Sequence, residues 1–184
     1  MNRIRLGVIS IVMVLMLGWA AAAAGSEQER VLIKDDCDPA TFNAAIGPGT
    51  CVGDGTTTFQ SFIAQLQANG VVANRSARGW AFRPGQLELN AGQGLQARNK
   101  GGENHTFTEV ANYGGGCVAP LNAILHLTPV PECQTGAFGA TLVPAGGSLN
   151  IPGLAPGLHH FECLIHPWMR TDVVVGQQDE NDDD

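Results

Sequence analysis

Methionine is nearly missing from this chain of 184 residues. The four present are Met1, Met13, Met16 and Met169. The first three fall in an N-terminal apolar stretch, so the remainder keeps one thioether, and a surface of repeated methionine sites is excluded. Positive charge is short too, with 10 Lys and Arg against 17 Asp and Glu and a formal net charge of −7. No basic stripe exists to neutralise phosphates, which argues against nucleic-acid binding. Long apolar runs are limited to one, Leu6 to Trp19, behind the basic start Met1-Asn-Arg-Ile-Arg5 and ahead of Ala20 to Ala24. A basic start, an apolar middle and small residues at the break form a secretory signal, residues 1–24. The run approaches the ~20 residues that span a bilayer. The alanines and the polar Ser26-Glu-Gln-Glu29 nevertheless favour cleavage near Ala24 over an uncleaved anchor. No stable membrane insertion is expected after cleavage.

Loss of residues 1–24 removes Arg3 and Arg5 and no acid, which deepens the net charge by two. Five acids sit in Asp179-Glu-Asn-Asp-Asp-Asp184. Residues 177–184 therefore read as a solvated, disordered acidic tail.

The chain has 5 cysteines, an odd number. If Cys163 serves another purpose, Cys37, Cys51, Cys117 and Cys133 form an even set, as in an oxidising compartment. Sequence neighbours point to Cys37–Cys51 and Cys117–Cys133, although four cysteines allow three connectivities. Each such bridge closes a loop worth ~3 kcal/mol in the chain-entropy view.

Residues 25–77 read as an N-terminal extension carrying a disulfide loop. Asp38-Pro39 is an N-cap with proline at the first helical position, opening a short helix through Ala44 or Ala45. A second, amphipathic helix follows Thr56 to Thr58. Phe59, Phe62, Ile63 and Leu66 fall at i, i+3, i+4 and i+7, and Gly70 ends it. That stripe is read as a packing face. From residue 78 to 176 the texture is short strands punctuated by Gly, Pro and Asn. They are Trp80–Phe82, Gln86–Leu89, Gly94–Arg98, His105–Val110, Leu149–Ile151, His159–Cys163 and Thr171–Val175. The spacing predicts an all-β sandwich or barrel. Residues 114–144 are expected to be a long irregular cover, clipped by the second cysteine pair.

The decisive stretch is Cys163-Leu-Ile-His166-Pro-Trp-Met169, which packs a thiolate, an imidazole and a thioether into seven residues. Two His and one Cys in a trigonal arrangement with a weak axial Met are the donor set of a blue-copper electron-transfer site. The second imidazole must come from a remote strand, and His105 is the best placed. His126, flanked by Leu125 and Leu127, reads as a packing or surface residue. His159 shares a strand face with Cys163 and is expected beneath the site as a polar core residue, while His160 points the other way, to solvent. Zinc accepts Cys and His but gains little from a thioether. Asn104-His105-Thr106 and Asn74-Arg75-Ser76 match glycosylation sequons by pattern only.

Phe82-Arg-Pro84, Leu87-Glu-Leu-Asn-Ala-Gly92, Asn99 ahead of His105-Thr-Phe107, and Pro156 to Met169 together resemble the cupredoxins, the type 1 blue copper proteins. The Cys-x-x-His-x-x-Met spacing is similar to the short ligand loop of amicyanin, pseudoazurin and plastocyanin-like members. The resemblance spans about residues 79–176 and implies a Greek-key β-sandwich, here with a short helical N-terminal extension. It implies one copper ion, cycling between Cu(I) and Cu(II), bound by His105, Cys163 and His166 with Met169 as the weak axial ligand. His159 stands where the family usually has an aromatic residue. Thr106 stands where it often has an asparagine that stiffens the ligand loop near the cysteine sulfur.

The function expected is an exported one-electron carrier, periplasmic or extracellular, not an enzyme, monomeric, and serving redox protein partners. Copper storage or delivery is the alternative. A trinuclear oxidase cluster needs a His-Cys-His run and a dinuclear centre needs two loop cysteines; neither is present. His166 is expected near the surface, ringed by Pro167 and Trp168, where it lets electrons out. The short-loop resemblance further implies that in the reduced state His166 releases Cu(I) and protonates in mild acid.

Overall fold

Glu29–Lys34 forms a strand, β1, with Val31 and Ile33 turned into the core. A computed structural model describes this and the rest of residues 28–177; residues 1–27, with the expected signal segment 1–24, and residues 178–184 of the expected acidic tail lie outside the described residues. β1 runs between β2 (Ala81–Arg83), antiparallel to it, and β4 (Leu95–Asn99), parallel to it. β8 (Ser148–Ile151) completes a sheet of order β2-β1-β4-β8. The facing sheet has the order β3-β10-β9-β6, from Gln86–Leu89, Arg170–Val175, Gly157–Glu162 and Thr108–Val110. β5 (His105–Thr106) and β7 (Leu142–Val143) make a separate pair. Between the sheets lie Phe82, Phe107 and Phe161, the last two stacked at 4.5 Å with nearly parallel rings. The protein is mostly β, with two packed mixed sheets.

The two expected helices form where the sequence places them. α1 (Pro39–Ala45) is capped by the Asp38 carboxylate, which accepts from the Thr41 N–H at 2.8 Å. In α2 (Phe59–Asn69) the Thr58 hydroxyl accepts from the Ser61 N–H. Gly70 closes α2 at φ 59°, a conformation glycine adopts without penalty, with its N–H on the Leu66 carbonyl. Phe62 and Leu66 bury the expected stripe. Phe42 of α1 meets Phe59 and Phe62 at 5.4 Å each, and stacks on Trp80 at 5.7 Å. Each such ring contributes roughly 1.5–3 kcal/mol by leaving water.

Three features differ from the sequence reading. The segment before residue 78 is not an appendage, because β1 is an inner strand and its core is continuous with that of β10. Arg30-Val-Leu-Ile-Lys34 is a short apolar run, too brief for periodicity to reveal. His105–Val110 is broken at Phe107, whose N–H continues the β5–β7 register onto the Thr141 carbonyl at 3.0 Å before β6 turns to β9, so β5 and β6 join different partners. Residues 114–144 contain helices α3 (Ala119–Leu125) and α4 (Ala137–Ala140) and a 3₁₀ turn at Pro131–Gln134. Both bridges join sequence neighbours, Cys37–Cys51 and Cys117–Cys133, and Cys163 is free.

Asn74 fastens β2 to the chain between β9 and β10. It sits at φ 56° and donates its N–H to the Trp168 carbonyl and its amide to the Arg170 carbonyl, both at 2.6 Å. Its oxygen accepts from the N–H groups of Phe82 and Arg170. Asn74→Ala deletes three of these bonds and is expected to cost about 2–4 kcal/mol. Urea unfolding of the metal-free protein measures it, and a loss below about 0.5 kcal/mol would show that the latch carries no strain-free load.

Candidate metal centre

Cys163 follows β9, and residues 164–169 turn back into β10. The turn is closed from inside: the Cys163 N–H donates to the Met169 carbonyl at 3.0 Å and the Met169 N–H to the His166 carbonyl at 2.9 Å. His105 arrives from β5. Its Nδ1 lies 3.7 Å from Cys163 Sγ and 3.2 Å from His166 Nδ1, and His166 Nδ1 lies 3.9 Å from the sulfur. The point equidistant from the three atoms of that triangle is about 2.1 Å from each. Metal–imidazole and metal–thiolate bonds run roughly 2.0–2.3 Å. The donors therefore fit a single ion without moving. All three residues are buried, as is Met169, which lies in the same core cluster as Cys163 and Trp168.

The surroundings fix each donor. His105 Nε2 is 2.9 Å from the Asp35 carboxylate, and both side chains are sealed from solvent. Asp35 also accepts from the N–H groups of Gly102 and Glu103 at 2.9 and 3.1 Å. Glycine is required at 101, where an added Cβ would fall 1.8 Å from Asp35 Oδ2. Burial opposes ionisation of Asp35, but the hydrogen bond and charge of His105 and the two N–H groups outweigh it, holding the carboxyl at about 2. Burial likewise pulls His105 down, but Asp35 and Cys163 lift it to about 9. The Cys163 thiol is driven well below its ordinary value because its two imidazole neighbours outweigh desolvation. The two imidazoles thus favour the thiolate, the form that binds metal. A thiolate further gains the Thr106 N–H at 3.4 Å, while the Thr106 hydroxyl accepts from the Leu164 N–H at 2.7 Å. Thr106 therefore ties the ligand loop to β5, the link its sequence position implied.

His166 departs from expectation. It is 3 % exposed, not at the surface. Trp168, Phe62 and Trp80 enclose its ring at centroid distances of 5.3, 6.2 and 6.5 Å, and Trp168 is itself fully buried. α2 supplies Phe62, and the linear sequence does not say where α2 packs. Glu103, buried and bonded to the Trp80 indole N–H at 2.6 Å, lies 3.7 Å from His166 Nε2. A cleft of about 610 Å³, lined by Ile46, Phe62, Ile63, Val118 and Ile165, reaches the imidazole. Sequence reasoning missed Asp35 and Glu103. Acids in turn-rich segments carry no periodic signal.

The other histidines stay outside the cluster. His159 contacts Glu109 at 2.6 Å and His160 contacts Asp172 at 2.7 Å. Both are half-buried, so the expected split between core and solvent does not appear. His126 is an exposed left-handed cap of α3.

No family model and no curated protein matches the chain. Solved structures do. A purple cupredoxin from Nitrosopumilus maritimus matches 81 % of this chain and all of its own, at 12 % identity and a TM-score of 0.40. Plastocyanin from Dryopteris crassirhizoma matches over 52 % of this chain and 88 % of its own, at 22 % identity and 0.35. A reduced Cu(I) form of an amicyanin variant matches over 52 % and 72 %, at 17 % identity and 0.34. These are likenesses of outline at low identity. The donor triangle stands on its own distances.

The buried Asp35–His105 pair gives a signed expectation. Asp35 ionises more readily folded than unfolded, so its contribution is full above about pH 4 and fades as pH falls towards 2. Metal-free Asp35→Asn should be less stable by about 1.5–3 kcal/mol at pH 6, with the gap narrowing as pH approaches 2. Urea unfolding across that range measures it, and a gap that widens in acid would contradict the pairing.

Proposed function

We propose that the protein is an exported carrier that moves one electron at a time between redox proteins. A single copper ion would be bound by His105, Cys163 and His166, with the Met169 thioether as the weak axial donor. The observation that carries this reading is the buried triangle of two imidazole nitrogens and one thiolate sulfur. When bound, copper supplies a centre that cycles between Cu(I) and Cu(II), for which thiolate and imidazole together are a compromise donor set. The residues do the rest. Cys163 offers a thiolate already stripped of water and steadied by the Thr106 N–H. Asp35 fixes which His105 nitrogen faces the sulfur, and the aromatic ring around His166 limits how far that imidazole can turn. A site held this firmly changes little on gaining or losing an electron, which suits a carrier better than a catalyst.

Two bridges fit an oxidising compartment, and no helix among the described residues is long and apolar enough to cross a membrane. The bridges support export as part of the proposal.

Adding Cu(II) to the purified metal-free protein should produce an intense visible thiolate-to-copper band with narrow hyperfine splitting. Cys163→Ser should abolish the band. A pale wild-type spectrum, or a variant that stays blue, overturns the reading. Enclosure of His166 further predicts a reduction potential that is flat from pH 5 to 8. Protein-film voltammetry checks it, and a potential climbing steadily below pH 6 would show that the imidazole leaves the metal despite its cover.

A further inference from the structure

Arg75, Arg78 and Arg83 line one open groove of about 940 Å³ beside the start of α2. Among the described residues none of the three has a carboxylate partner; the ion pairs there involve His105, His159, His160, His166 and Arg170. One acid lies on the groove wall, Asp36, and its oxygens already accept from the Thr56 N–H and the Thr57 hydroxyl. Three unneutralised guanidinium groups thus converge on one face of a chain whose formal charge is −7. The same groove is one hydrogen bond from the ligand loop. Asn74, on its wall, donates its N–H to the Trp168 carbonyl at 2.6 Å, and the Trp168 ring packs on His166 at 5.3 Å.

We propose that this arginine groove docks the acidic face of an electron-transfer partner, with the Asn74–Trp168 contact linking the groove to the centre. The proposal rests on the one-electron reading above. Its physics is orientation. The acidic remainder of the surface repels an anionic partner while the groove attracts it, so encounters are steered to one face. Exposed guanidinium charges act over a Debye length of about 8–10 Å at moderate salt, which spans the groove mouth. In the exchange one electron leaves the reduced protein and enters the partner; no bond forms or breaks and no proton moves.

Two measurements on the full chain separate this from the copper reading. The first uses metal-free, ¹⁵N-labelled protein titrated with hexacyanocobaltate(III), a redox-inert trianion. The amides of Asn74, Arg75, Arg78 and Arg83 should shift in a saturable, salt-sensitive way. Shifts centred on Arg98 and Lys100, or none, overturn the proposal whatever the protein does with copper. The second follows oxidation of the reduced, copper-loaded protein by hexacyanoferrate(III), which is itself reduced to hexacyanoferrate(II), and by cationic tris(phenanthroline)cobalt(III). Arg75→Ser/Arg78→Ser/Arg83→Ser should slow the anionic oxidant about tenfold or more at low ionic strength and spare the cationic one. Arg98→Ser/Lys100→Ser is the control. Equal slowing by the triple and the control variants, or no slowing in a triple variant that keeps its visible band, sinks the groove and leaves the carrier intact.

Discussion

The contact between Asp35 and His105 joins the two ends of the architecture. One partner comes from the turn after an inner strand near the N-terminus, the other from a short strand between the sheets. Neither is in water, so each is tolerable only because the other is present. The two backbone N–H groups aimed at the same carboxylate place the turn at Gly101 and Gly102, and that turn in turn delivers Glu103 to the second imidazole. Orientation of both nitrogen donors is therefore settled by segments that contribute no donor themselves.

Local chemistry was legible in the sequence wherever it was written in consecutive residues. Asp38-Pro39 announced α1, Thr58 and Gly70 bracketed α2, and the Cys-x-x-His-x-x-Met run announced the ligand loop. His105 was found because a turn-rich stretch precedes a β pattern. What could not be read was relative placement. β1 is five apolar and charged residues beyond its first, indistinguishable from a linker until its neighbours are known. The burial of His166 depends on where α2 comes to rest, which is decided by Phe42, Phe62 and Trp80 packing across thirty-eight positions of chain. The β-rich texture of the strand region and the convergence of His105, Cys163 and His166 were thus visible, whereas the enclosure around them was not.

That enclosure alters how the centre meets the outside. The imidazole that the sequence placed at the rim lies behind an aromatic wall, and two unlike openings flank it. One is the apolar cleft that touches His166 and Glu103; the other is the arginine groove beside Asn74. On the carrier reading proposed above, two chemically distinct approaches to one centre would separate the giver of an electron from its taker by charge alone.

The Cys37–Cys51 bridge lies against this machinery. Gly102 packs so closely on Cys37 that a Cβ there would come within 3.0 Å of its sulfur, and the Val52 N–H donates to the Gly102 carbonyl at 2.9 Å. The half-cystine thus clamps the very turn whose N–H groups grip Asp35. Breaking the bridge would therefore loosen that turn, and a reductant would disturb the donor triangle by way of Asp35 without touching a donor.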